Sequence, residues 1–99
     1  MHMRNLKNLI REIKSAIRQG MAYYEISASS HSGEYYLDET LILEHGKILY
    51  YARRIGNNEV QEGGSVIYTN AEAFLKTPID EIVKVINAAY YYNVYYNVQ

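Results

Sequence analysis

The chain has no cysteine and no tryptophan, a single proline, a single phenylalanine and almost no net charge. Without cysteine there are no disulfide staples and no thiolate metal sites, so stability must come from packing, and the redox compartment stays open. No apolar run approaches the about 20 residues that a membrane-spanning helix needs. The basic N-terminal segment has amphipathic spacing and no continuous apolar core, so no secretory signal peptide is expected and the location implied is intracellular. With 48% hydrophobic and 21% charged residues, the 99-residue chain is expected to fold as a single domain over residues 1–99 with a modest core.

What is abundant is tyrosine, twelve of the thirteen aromatic residues. They gather at Tyr23–Tyr24, at Tyr35–Tyr36 and in the run Ala89-Tyr90-Tyr91-Tyr92-Asn93-Val94-Tyr95-Tyr96. Tyrosine packs like phenylalanine but carries a hydroxyl that must find a partner when buried, so this bias suits half-wet surfaces and interfaces. The charge is also uneven. Residues 1–20 hold Arg4, Lys7, Arg11, Lys14 and Arg18 against Glu12, a balance of +4, and the remainder balances to −5.

Leu6, Leu9, Ile10, Ile13, Ala16 and Ile17 recur at three- and four-residue spacing and predict an amphipathic helix over residues 4–19, closed by Gly20. The period then changes to two. Tyr24, Ile26 and Ala28 mark one strand, ended by the turn-like cluster Ser29 to Gly33. Residues 35–44 and 48–55 make two more around a His45-Gly46 hairpin loop. After Gly56-Asn57-Asn58, the Gly63-Gly64 pair predicts a break before a short strand at Val66–Tyr68. Asn70 caps a short helix, and Thr77 with Pro78 predicts the start of another that runs at least to Tyr92. The fold class is α+β: an N-terminal amphipathic helix, a three- to four-stranded antiparallel meander and a C-terminal helix packed on one sheet face.

No constellation carries chemistry. His2, His31 and His45 stand apart, without convergent donors for a metal. Asp38 and Glu39 alternate across a strand and cannot share a proton. Glu39 shares a face with Leu37 and Leu41, and an inward charge of that kind predicts an edge strand. The serines around His31 lack an orienting acid, and Glu62-Gly63-Gly64-Ser65 lacks the lysine of a phosphate loop. No catalytic residue, cofactor or small-molecule substrate is expected, and the chain reads as a non-enzyme.

Two patterns point to binding. At about 100° per residue, Arg4, Lys7, Arg11, Lys14 and Arg18 line up on one stripe opposite the apolar one, as a surface for nucleic acid or another anion would. Fifteen residues from Val85 to Gln99 carry no charge. Stacking platforms for bases pair aromatics with cations, whereas protein interfaces are rich in tyrosine and poor in charge. Tyr91, Tyr92, Tyr95 and Tyr96 are therefore the candidate interface, with a homodimer as the expected product.

Eleven isoleucines, eight asparagines and twelve tyrosines give the chain its texture, seen in Ala89-Tyr90-Tyr91-Tyr92-Asn93-Val94. In that texture it resembles small orphan proteins of filamentous, lipothrixvirus-type viruses of acidothermophilic archaea. The resemblance implies a thermostable accessory protein of viral origin, in the host cytoplasm or attached to the virion. It carries over no functional residues.

Overall fold

The computed structural model describes residues 5–95. Helix α1 (Leu6–Arg18) precedes four strands, β1 (Tyr23–Ser32), β2 (Tyr35–Glu44), β3 (Lys47–Gly56) and β4 (Glu59–Tyr68). Helices α2 (Ala71–Lys76) and α3 (Ile79–Tyr90) follow, and α3 widens into a π-helical turn, Tyr91–Tyr95. The strands form one antiparallel meander in the order β1-β2-β3-β4. Helix α1 crosses β1 and β2 while α3 and the π-helical turn cross β3 and β4, all on the same face. This is the expected α+β arrangement.

The apolar stripe of α1 becomes core as its spacing requires, with Leu6, Leu9, Ile10, Ile13 and Ala16 buried. The helix stops at Gly20, where the Gly20 and Met21 amides donate to the Ile17 and Ala16 carbonyls at 3.0 and 3.1 Å. In the β2–β3 hairpin both His45 and Gly46 are left-handed (φ 51° and 73°), the turn that matches strand twist. Opposite the helices, Leu41, Ile48, Tyr50 and Ala52 of the sheet meet Ile10, Ile13, Phe74, Ile82, Ile86 and Val94. Each fully buried large side chain of this kind stabilises the fold by roughly 1.5–3 kcal/mol.

Four expectations change. The cluster Ser29 to Ser32 continues β1, and the turn shrinks to Gly33-Glu34. Cross-strand partners outweigh the local turn preference, because Ser29 donates to Asp38 at 2.5 Å and His31 packs on the Tyr36 ring at 3.9 Å. The Gly63-Gly64 pair does not break β4, which runs ten residues. A Cβ on Gly63 would stand 2.4 Å from the Asn93 carbonyl oxygen, so glycine here lets the π-helical turn approach the strand. Thr77 does not cap α3: its hydroxyl donates backwards to Ala73 O at 2.6 Å and closes α2. Glu39 does not mark an edge, because β2 is an interior strand and Glu39 is buried beneath the helices.

Candidate protein-interaction surfaces

The C-terminal tyrosines sit on a firmly held base. Val94 is fully buried, and the Asn93 amide donates to Ser65 Oγ at 3.1 Å on β4 and to Ala89 O at 2.9 Å. The second bond takes up a carbonyl in the last turn of α3, where the ladder widens. On that base Tyr92 is 81% exposed, Tyr91 46% and Tyr95 43%. Tyr91 meets the Tyr90 and Tyr95 rings edge-on at 5.5 and 5.4 Å. Tyr95 also lies 5.4 Å from the Arg54 guanidinium, which stacks on Tyr35 at 3.8 Å and donates to Gln61 at 3.1 Å. Tyr96 lies outside the described residues.

The basic stripe is divided. Arg11 and Arg18 are exposed, and Lys7 forms a 3.5 Å surface ion pair with Asp80 at the start of α3. Lys14 leaves the stripe. It is 9% exposed, and its ammonium donates to Leu75 O at 3.2 Å and Thr77 O at 2.5 Å, the free carbonyls that end α2. The reason is angular: at about 100° per residue Lys14 stands about 40° from Ile10, on the shoulder of the buried stripe. Burial and then the Arg18 charge lower its pKa. Arg4 lies outside the described residues.

Several tyrosine hydroxyls end on carboxylates, a contact that phenylalanine could not make. Tyr23 donates to Glu25 at 2.5 Å, Tyr24 to Glu12 at 3.2 Å, and Tyr51 to Glu62 across β3 and β4. In all three the carboxylate hydrogen bond is the chief cause that raises the tyrosine pKa, with desolvation second. Tyr68, edge-on to Phe74 at 5.4 Å, is raised chiefly by burial.

A groove of about 370 Å³ lies beside the β2–β3 hairpin, lined by Ile17, Met21, Leu43 and Ala71 with Glu44 and His45 at the rim. Its polar groups include Glu44 and His45, whose carboxylate and Nδ1 stand 3.8 Å apart and open to solvent at the hairpin. Among the described residues there is no cluster of three or more histidines and carboxylates placed to hold a metal ion. No helix of the described residues is long and apolar enough to cross a membrane.

One surface escaped the sequence reading. The sheet face turned away from the helices has no described element over it, and it carries exposed Tyr23, Tyr36, Val60 and Val66. The period-two pattern held the signal, since Ile42, Leu49 and Ile55 fall on that face among the polar residues. Compared with known proteins, the chain matches no family model, no curated protein and no solved structure.

Proposed function

We propose that the chain is a non-enzymatic accessory protein that acts by protein–protein contact, and that it self-associates through Tyr91, Tyr92 and Tyr95. The observation that carries this reading is a cluster of exposed tyrosines, one of them 81% exposed, on a helix end anchored by buried Val94. Rigid tyrosines offer a large contact area at low entropic cost, and a segment without charge beside a single arginine, Arg54 at 5.4 Å from the Tyr95 ring, has the composition of an interface centre. The compositional resemblance to orphan proteins of archaeal filamentous viruses supports assigning that assembly to a viral accessory role. Removing the C-terminus would expose the core around Val94, so the test uses surface substitutions. Light scattering on the full chain should show a lower mass for Tyr91→Ser/Tyr92→Ser than for the unaltered protein. An unchanged mass removes these tyrosines from the interface.

A further inference from the structure

We propose that the open sheet face docks a second copy of this chain about a two-fold axis that runs parallel to the strands, between β2 and β3. This rests on the reading of the protein as one that assembles, and it places a contact on the side of the molecule opposite Tyr91 and Tyr92.

The argument starts from the β2–β3 register. On the open face Tyr36 lies beside Ile55, Asp38 beside Arg53, Ile42 beside Leu49 and Glu44 beside Lys47. The acids are all on β2 and the bases all on β3. A rotation about an axis along the strands lays β2 of one copy over β3 of the other and keeps every residue at its own level. Each side-by-side pair is then repeated across the interface. Asp38 faces Arg53 of the second copy, Glu44 faces its Lys47, Ile42 faces its Leu49 and Tyr36 faces its Ile55. Charge meets opposite charge and apolar meets apolar, in duplicate, as an isologous interface demands.

The other face-to-face two-fold, across the strands, lays β2 over β2 in reverse. Asp38 would then meet Ile42, and Tyr36 would meet Glu44. Carboxylates buried against apolar groups are costly, so the register itself selects the axis along the strands.

Arg53 is open to such a partner. Asp38 is engaged by Ser29, and among the described residues no carboxylate lies within ion-pairing distance of Arg53. Four strands at about 4.8 Å spacing and ten residues at about 3.4 Å rise give a plan of roughly 650 Å² before side-chain relief, and β2 with β3 about half of it. The contact is therefore smaller than the about 800 Å² per partner of a standard interface and belongs with the weaker dimers. Packed sheets cross at about 30°, so the contact concentrates on β2 and β3 while Glu25 on β1 stays in water at a corner. A phosphate-bearing partner is disfavoured, since Glu25, Asp38, Glu44 and Glu62 outnumber Lys47 and Arg53 on this face.

Mixing of opposite charge variants gives the test. Asp38→Arg sets arginine against Arg53 of the second copy, and Arg53→Asp sets aspartate against its Asp38, so each variant alone should lose the dimer. Combined in equal amounts, the two variants face each other with opposite charges at both positions, and the dimer should return. The measurement is light scattering at about 100 µM in the Tyr91→Ser/Tyr92→Ser background, which leaves the sheet face as the contact under test and in which the protein should weigh twice the 11.5 kDa of one chain. With the tyrosines intact both contacts act, and the mass should be higher still. A mass that does not fall with the tyrosine changes removes the tyrosine contact and leaves the sheet face standing. A monomer in the tyrosine-substituted background, two single charge variants that stay dimeric there, or a mixture that stays monomeric overturns the sheet face. Should a variant fail to fold, carbodiimide coupling of unaltered protein, mixed from ¹⁵N-labelled and unlabelled chains, decides: Lys47 must be joined to Glu44 of the other isotope, and absence of that link overturns the proposal.

Discussion

The Tyr50 hydroxyl donates to the Glu39 carboxylate at 2.6 Å, inside the core and beneath the helical layer. The two residues lie on adjacent strands, one step apart diagonally, since Glu39 pairs with Ala52 and Leu41 with Tyr50. A buried charge-assisted bond of this kind matters less for what it adds than for what its loss exposes. Tyr50→Phe should destabilise the fold by about 1–3 kcal/mol in urea unfolding, because it removes a donor from a buried carboxylate. Adding Glu39→Leu should recover part of that loss. Equal stability of Tyr50→Phe and the parent would show that the bond contributes nothing.

Lys14 joins α1 to the end of α2 through two carbonyls. Lys14→Met keeps the aliphatic stem and deletes both donors, and should cost about 1–3 kcal/mol. Arg11→Met, one turn away on the exposed side, should stay within about 0.5 kcal/mol. If the two variants unfold at the same denaturant concentration, the cap is without energetic weight.

Gly63→Ala would drive a methyl group to 2.4 Å from the Asn93 carbonyl oxygen. The π-helical turn must lift from β4, at about 1–3 kcal/mol. Hydrogen exchange should speed up selectively at residues 89–95, while α1 keeps its protection. Uniform or unchanged exchange would contradict the close approach.

Alkaline pH should unfold the protein through its tyrosines. Tyr23, Tyr24, Tyr51 and Tyr68 all have raised pKa values. A raised folded value means that the stabilisation is complete below the unfolded value near 10 and is lost as pH climbs through the folded values. Lys14 works the other way, because its lowered value relieves a burial cost as pH rises towards the ordinary lysine range. Once pH passes the ordinary lysine value of about 10.4 the Lys14 contribution is complete while the tyrosines go on ionising, so the urea midpoint should fall above about pH 10.5. Tyrosinate absorbance should lag behind that of the unfolded chain. A midpoint that holds or rises to pH 11 would contradict these shifts.

The elements that could be read in advance are those set by near neighbours in the chain. The α1 stripe, the His45-Gly46 turn, the Asn70 cap and the two-residue period of β2 and β3 each depend on residues a few positions apart. The fold class followed from them. Most of the misread segments answer to partners on other elements, with Thr77, bonded back to Ala73 O four residues earlier, as the local exception. Ser29 and His31 read as turn until Asp38 and Tyr36 hold them in a strand. Gly63 reads as a break until Asn93 needs the space.

For the candidate surfaces the division is the same. Sequence alone determined which residues are tyrosine, that residues 85–99 are uncharged, and that Lys7, Arg11, Lys14 and Arg18 recur at helical spacing. Tertiary structure decided that Lys14 turns inward to α2, that Val94 becomes core while Tyr92 stays in solvent, and that all the helices choose one sheet face. Periodicity says which side chains share a face but not which face is covered. That choice is made by the connections, since α1, α2 and α3 bury their stripes on the same side of the sheet and leave the other side, with Asp38 and Arg53 on it, to solvent or a partner.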